Sequence, residues 1–382
     1  MSEYTILIST TFGVESVVKH ELRKMNYDIK KVKNGRIEIE GNGEDLAYCN
    51  LKLRSAERVF LKLAEFPARD FDELYDNVSE INWPEILPWQ AEIPVSGKSV
   101  KSALHSVPAC QSIIKKAIVD SMQEYHGEKR LPETGNNYPV FFSLYKDNAI
   151  IALDSSGEGL HKRGYRQETG DAPLQETIAA AMINLSRWDR DRILLDPLCG
   201  SGTIIIEAAL MARNIPPGLK RSFTGEKWDF LEKKCWKKAR EKAKNKIKNN
   251  REARLLAGYD KNNDVIEKAR YNARRAGVED LVHFQQRNIS QFSTGRKYGY
   301  IITNPPYGER LKQEKVEKLY SLMGDKFIPL DTWSYYILTS YANFEKAFGM
   351  KASKRRKLYN GGIECQYYQY YGPWPPANGG DR

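Results

Sequence analysis

The sequence predicts an α/β protein whose C-terminal half is a doubly wound, mainly parallel sheet, preceded by two smaller α+β units. Three observations carry this expectation. From Pro173 onward, strands alternate with helix-length segments, and several strands are continuous apolar runs, as a sheet buried on both faces requires. Upstream of that point the units are short and alternate quickly between strand and helix patterns. The 382 residues are 41% hydrophobic and 29% charged, enough for two or three packed cores and too apolar for wholesale disorder.

Taken in order, Tyr4–Ser9 reads as a strand, and Gly13 to Met25 carries helical apolar spacing at Val14, Val17, Val18 and Leu22. Val32–Ile39 alternates like a strand, Glu44–Ala56 reads as a helix and Val59–Ala64 as another strand. These make a small α+β sandwich over residues 1–62. Asp70 is placed as an N-cap before Phe71, Leu74 and Val78, which predicts a helix over Asp70–Ile81. A strand (Ala91–Val95), a helix (Gln111–Tyr125) and a hairpin turning at Asp147-Asn148 complete a second α+β unit over residues 63–157. The third unit, 158–382, opens with an apolar helix (Leu174–Leu185) and the strand Ile193–Leu195. Strand Leu255–Tyr259, helix Val265–Ala276, strands Val282–Gln285 and Tyr298–Thr303, a helix and strand Trp333–Thr339 follow. Lys357 to Tyr371 reads as an antiparallel hairpin turning at Asn360-Gly361-Gly362.

Charge and composition narrow the function. The 60 Lys and Arg exceed the 49 Asp and Glu by 11, which suggests a polyanionic partner. Nearly all of that excess lies between Arg213 and Arg254, where 15 basic residues face 5 acidic ones. Two compatible readings are a solvated surface insertion and a face that tracks phosphates. Apolar runs such as Ile204–Ile206 and Ile178 to Ile183 are far shorter than the roughly 20 residues a bilayer needs, so no membrane span is expected. The start, MSEYTILIST, lacks the pattern of an export signal. The five cysteines, Cys49, Cys110, Cys199, Cys235 and Cys365, are widely spaced, and no HExxH or HxH occurs. A reducing, cytoplasmic setting without a metal is the expectation.

Chemistry is carried by three motifs. Leu195-Asp196-Pro197-Leu198-Cys199-Gly200-Ser201-Gly202-Thr203 closes the first strand of the sheet and opens a helix, where open α/β sheets bind ligands. Gly200 and Gly202 let the backbone turn sharply and approach a ligand. The third glycine of a dinucleotide fingerprint would fall at Ile205, and no GxxxxGK[ST] is present. Second, the strand Leu255–Tyr259 ends in Asp260, positioned to accept both hydroxyls of a ribose or, alternatively, to cap the next helix. Third, Asn304-Pro305-Pro306-Tyr307 follows the strand Tyr298–Thr303 directly. The prolines stop the ladder and stiffen the loop. An Asn amide and a proline-bounded carbonyl can hold the two protons of an exocyclic amine, and Tyr307 offers a face for an extruded base.

This combination resembles the class I S-adenosyl-L-methionine-dependent methyltransferases that modify exocyclic amines. The run His161-Lys162-Arg163-Gly164-Tyr165-Arg166, then Ala172-Pro173-Leu174, the LDPLCGSGT segment and the extended NPPYGER narrow it. Together with Thr11-Phe12-Gly13-Val14-Glu15, Ser102-Ala103-Leu104-His105-Ser106 and Lys357–Cys365, they resemble the THUMP-domain RNA methyltransferases. Within these, the bacterial guanine-N2 methyltransferases of 23S rRNA are the best match, a group often described as adenine-N6 DNA methylases. The resemblance implies a Rossmann-like catalytic domain behind ferredoxin-like and THUMP domains, S-adenosyl-L-methionine as cofactor and RNA as partner; the oligomeric state is left open by the sequence, with a monomer slightly favoured. It also implies that Asp196, Cys199, Gly200, Gly202, Thr177, Glu207, Asp260 and Asn288 surround the cofactor. Asn304, Pro305, Pro306 and Tyr307 would hold the target base. Asn288 stands where many relatives place an Asp on the adenine amine, and its oxygen is expected to serve. Lys98, Lys101, His105, Lys115, Arg163 and Arg166 are the expected RNA contacts. An adenine-N6 methyltransferase on RNA or DNA, a guanine-N2 enzyme acting on tRNA, and a non-catalytic RNA-binding protein remain as alternatives.

Overall fold

The computed structural model describes residues 3–33, 35–166, 174–248, 255–307 and 313–376. The Ala172-Pro173 and Gly308-Glu309-Arg310 parts of the expected motifs lie outside this set. The chain divides into two compact units. One comprises Met1–Thr10, Lys19–Leu160 and Gly218–Asn245, and the other Thr11–Val18, His161–Pro217 and Lys246–Arg382.

The first unit holds strands β1 (Tyr4–Ser9), β2 (Lys31–Lys33), β3 (Arg36–Gly41), β4 (Arg58–Pro67), β5 (Val95–Val100), β6 (Val140–Tyr145) and β7 (Asn148–Asp154). They form one seven-stranded sheet in the order β2-β3-β1-β4-β7-β6-β5. The two small units expected from the sequence therefore share a sheet, because β4 is long enough to pair with β1 through one stretch and with β7 through the next. Helix α1 (Glu15–Lys24) begins in the second unit and enters the first at Lys19, and α2 (Gly43–Lys52), α3 (Phe71–Ser79), α4 (Trp83–Ile86) and α5 (Val107–His126) accompany these strands.

Local chemistry sets their ends. Asn42 and Asp45 build a reciprocal capping box on α2. The Asp70 carboxylate accepts from Glu73 N at 2.8 Å, the cap that the sequence announced. The strand expected over Val32–Ile39 is split into β2 and β3 by Gly35, whose φ of +73° turns the chain. The strand expected over Ala91–Val95 instead occupies Val95–Val100, leaving only a bridge from Glu92 to Asn137. The β6–β7 hairpin turns at Lys146-Asp147, both with positive φ, as a two-residue turn matched to strand twist requires.

The second unit contains β8 (Leu194–Asp196), β9 (Leu256–Asp260), β10 (Val282–Gln286), β11 (Tyr300–Thr303), β12 (Ser334–Thr339), β13 (Lys354–Asn360) and β14 (Ile363–Tyr370). The helices of this stretch are α6 (Glu176–Ser186), α7 (Thr203–Ala212), α8 (Lys234–Lys244), α9 (Asn263–Ala276), α10 (Gln313–Phe327) and α11 (Phe344–Phe348). Of these, α8 counts with the first unit. The strand order is β10-β9-β8-β11-β12-β14-β13, parallel from β10 to β12 and antiparallel through the terminal hairpin. From β8 the chain steps outward to β9 and β10, then returns to β11 on the other side. The reversal opens a crevice between the carboxyl ends of β8 and β11. Leu195, Ile301, Ile337, Tyr320, Met323 and Phe327 are among the residues of the main core beneath it.

The basic insertion is the element whose location the sequence did not suggest. Residues Gly218–Asn245 pack within the first unit. Trp236 stacks on Phe223 at 5.2 Å and donates from Nε1 to Gly225 O at 3.0 Å. Gly225 N donates in turn to Ser155 O, and Trp228 stacks on Tyr138 at 6.0 Å. Cys235, Trp236, Ala239 and Ala243 form the buried side of α8, and α2 is its packing partner.

Candidate active site

The glycine loop and its two neighbouring strand ends build one side of the crevice. Asp196, the last residue of β8, is 2% exposed, accepts from Thr303 Oγ1 at 2.6 Å and takes Leu198 N at 3.1 Å. Burial, against those two hydrogen bonds and with the charge of Asp260 adding to it, pushes its pKa up to about 7. Cys199 is buried and its thiol is pushed upward by desolvation and then by Asp196 and Asp260, so it stays protonated. At Gly202, with φ +83°, a Cβ would come within 2.7 Å of the Phe284 ring. At Gly200, with φ +51°, a Cβ would point into open space, where a ligand has room. Asp260 closes β9. One of its oxygens accepts from Gly200 N at 3.2 Å and the other from Asn262 N at 3.0 Å. The cap of α9 itself is Asn262, which accepts from Asp264 N, so Asp260 is not spent as the helix cap. Asn288 is exposed, and its Oδ1 is engaged by both the backbone and the hydroxyl of Ser290 at 3.0 Å, capping a short 3-10 turn.

On the other side, Asn304 begins the loop after β11. Its Oδ1 is inaccessible to solvent and has no hydrogen-bond partner among the described residues. A buried carbonyl left unpaired costs roughly 1–3 kcal/mol, so its retention points to a ligand that supplies the proton. Pro306 O receives Tyr320 Oη at 3.4 Å, and the same hydroxyl meets Thr339 Oγ1 at 2.8 Å. Tyr307 is 4% exposed and takes Asn360 Nδ2 on its hydroxyl at 3.2 Å. Its ring is thus packed inward here, and the open stacking face that the sequence promised is covered.

Asn360, which the sequence reading missed, and Arg166, which it assigned to RNA, tie the loops to the start of α6. Asn360 Oδ1 accepts from Gln175 N at 3.2 Å while its amide holds Tyr307. Arg166 donates to Leu174 O at 2.8 Å and to Thr203 Oγ1 at 2.5 Å, and lies 3.3 Å from Glu176. Residues 174–176 therefore bracket the acceptor loop on one side and the glycine loop on the other. Thr303, which links β11 to Asp196, was also missed, though a polar residue ending an apolar strand beside NPPY was a usable signal.

Two of the expected RNA contacts are corrected. Arg163 is 4% exposed and sits 3.5 Å from Glu207, which also accepts from Tyr165 Oη at 3.2 Å. Arg166 is committed to the bracket just described. Glu207 is likewise an ion-pair partner rather than an open cofactor ligand, and Thr177 is fully buried within α6. The remaining RNA candidates sit on the first unit. Lys98 is on β5, and Lys101 and His105 lie in the loop that follows. His105 Nδ1 lies 3.0 Å from Ala103 O. Lys115 donates to Ile93 O at 3.0 Å and pairs with Glu133.

Comparison with known proteins fits this geometry. Residues 163–369 match an RMKL-like methyltransferase domain, 5–60 an RlmL ferredoxin-like domain and 68–154 a THUMP domain. The chain belongs to the RMKL-like methyltransferase family. It is 47% identical to "Putative RNA methyltransferase YpsC" of Bacillus subtilis (strain 168), covering 97% of each chain. It is 36% identical to ribosomal RNA large subunit methyltransferase K/L of Psychromonas ingrahamii over 95% of this chain and 49% of that one. The chain thus spans about half the length of such K/L relatives. The solved structure of SMU.472, complexed with SAH, superposes with a TM-score of 0.92 at 42% identity, covering 98% of this chain and all of that one. The residues of this RMKL-like chain fit such an adenosyl ligand. Room lies above Gly200, the glycine loop tolerates close approach and Asp260 ends the adjacent strand. No described helix is long and apolar enough to cross a membrane, and no described group of acidic, His or Cys side chains forms a metal cluster.

The raised pKa of Asp196 has a measurable sign. Its folded-state value, about 7, lies above the ordinary 3.8, so the fold binds the proton more tightly than the unfolded chain does. Its contribution is complete below pH 4 and is lost as pH rises towards 7. Asp196→Asn, which cannot ionise, is expected to gain stability relative to wild type across that window. Thermal melts of both proteins at pH 4, 5.5 and 7 check it. A difference that does not grow with pH would contradict the assignment.

Proposed function

We propose that this methyltransferase uses S-adenosyl-L-methionine to methylate the exocyclic N2 of a guanine in large-subunit rRNA. The observation that carries the reading is the buried Asn304 Oδ1, without a hydrogen-bond partner among the described residues, at the crevice between β8 and β11. When bound, the cofactor supplies an electrophilic sulfonium methyl group. The chain's own residues do the rest. Asp260 is placed for the ribose hydroxyls, and the Gly200–Gly202 loop admits the ligand to the backbone. Asn304 Oδ1 accepts a hydrogen bond from one amine N–H, so the nitrogen lone pair is directed away from the ring and towards the methyl. The new N–C bond forms as the S–C bond breaks, and the extra proton leaves from the methylated amine to water. The protonated Cys199 takes no covalent part. Rate comes from orientation and from polarisation of the amine.

The rRNA assignment is supported by the named activity of the K/L relatives and by the THUMP match. The guanine-N2 assignment rests on the resemblance of the extended NPPYGER segment. Nucleoside mass spectrometry of large-subunit rRNA, small-subunit rRNA and tRNA from cells lacking the gene tests both. The expected result is loss of one N2-methylguanosine from large-subunit rRNA, restored by wild type and not by Asn304→Ala. Loss of N6-methyladenosine would move the reaction to adenine, and loss from tRNA would move the substrate. No loss in any fraction would overturn catalysis.

A further inference from the structure

The charge of the first unit is distributed against expectation. The residues matched to THUMP, 68–154, carry 8 Lys and Arg but 13 Asp and Glu. Leaving out Gly218–Asn245, the whole first unit has 19 basic and 23 acidic residues, a net of −4. The insertion adds 10 basic and 4 acidic residues and reverses the sign to +2. A unit that holds RNA is repelled by its phosphates unless a local surface overcomes that acidity.

That surface is α8. Its apolar side is fixed by Cys235, Trp236, Ala239 and Ala243, which leaves Lys234, Lys237, Lys238 and Lys244 exposed with Glu241 as the only carboxylate of the helix. The arrangement is electrostatically costly in isolation. Lys234 and Lys238 are like charges four residues apart, as are Lys233 and Lys237, and each such pair disfavours the helix by a few tenths of a kcal/mol. Lys233 and Lys234 also stand at the positive end of the helix, where the N-cap residue Lys233 provides no side-chain cap and the first turn has no acid. Arg240 pairs with Glu226 at the packed side, while the ion pairs of the lysines are peripheral. Lys234 lies 3.6 Å from the largely exposed Glu232, and Lys242 lies 3.5 Å from Glu44 on α2. A bound polyanion relieves all of these costs together, because it satisfies the helix end and separates the lysines electrostatically. Lysine rather than arginine along the exposed side suits a sequence-independent point-charge contact with backbone phosphates.

We propose that the exposed side of α8 is the principal phosphate-binding surface of the first unit and contacts the sugar-phosphate backbone of structured RNA. The inference rests on the RNA reading above. It is tested with protein-free large-subunit rRNA from cells lacking the gene, by measuring affinity against salt concentration for three proteins. These are wild type, a variant with Lys233, Lys237, Lys238 and Lys244 changed to Gln, and a variant with Lys268, Lys346, Lys351 and Lys354 changed to Gln. The control removes the same charge from the second unit. At roughly 0.7–0.9 per phosphate contact, the log–log slope of the α8 variant is expected to fall by about 3, and the control slope to stay near wild type. SAH binding and the thermal unfolding profile followed by circular dichroism should be equal in all three, the first reporting on the second unit and the second on the whole chain including α8. Equal slopes in the α8 variant and wild type, or equal losses in both variants, would overturn the surface. A wild-type protein that binds no RNA would overturn the substrate reading, and this surface with it.

Discussion

Asn304→Ala is expected to lower kcat by about 10²–10³-fold, the scale seen when one preorganised polar group is removed from a reacting centre. SAH affinity should be unchanged, because Asn304 leads the acceptor loop whereas Gly200, Gly202 and Asp260 belong to the donor side. On the proposed reading, Oδ1 is desolvated and without a partner among the described residues, so it would meet the amine as an acceptor needing no reorganisation. Asn304→Asp keeps an oxygen at the same place and should retain more activity than the alanine variant. Single-turnover rates with saturating cofactor, alongside calorimetric SAH titration, make the comparison. A full rate in Asn304→Ala would remove this residue from the chemistry. Parallel losses of rate and SAH binding would assign it a structural role instead.

The largest expected stability effect lies at Arg163. Removing its guanidinium leaves the carboxylate of Glu207 buried on α7 with Tyr165 as its remaining described partner, and breaking such a pair typically costs about 3–5 kcal/mol. Arg163→Ala should therefore shift urea unfolding to far lower concentration. The double variant Arg163→Met with Glu207→Leu, which removes both charges and keeps volume, should recover most of that loss. RNA affinity of the folded double variant should match wild type. If instead the double variant is stable and its RNA salt slope falls by about one, Arg163 reaches a phosphate after all.

These two residues show what can and cannot be read from the chain. That the C-terminal half is a doubly wound sheet follows from apolar strands separated by helices, although its strand order does not, and NPPY was legible because two prolines after a buried strand have few other uses. Arg163 was misread because a basic residue in a loop looks the same whether it faces a phosphate or a buried carboxylate. A signal did exist: Glu207 interrupts the otherwise apolar helix TIIIEAALMA, and a carboxylate there demands a cation. Asn360 was hidden for a different reason. In a sequence it reads as a turn residue before Gly361-Gly362, and only the folded sheet carries its amide to Tyr307, 53 positions away. The apolar side of α8 could be seen in Cys235, Trp236, Ala239 and Ala243, but periodicity names a face without naming what covers it.

The interleaving of the two units constrains how the molecule can be taken apart. The polypeptide passes from one to the other five times between Met1 and Arg382, so no single cut releases either of them. A fragment starting at His161 would lack Thr11–Val18, whose Gly13 carbonyl and Ser16 hydroxyl receive the Arg356 guanidinium. It would also drag along α8 with Trp236 and Cys235 stripped of their packing, a sticky amphipathic stretch prone to self-association. A fragment ending at Leu160 would lose its basic helix and be left as an acidic body. Excision or domain shuffling at the apparent module boundaries is thereby penalised, and the THUMP-containing and methyltransferase portions are inherited as one piece.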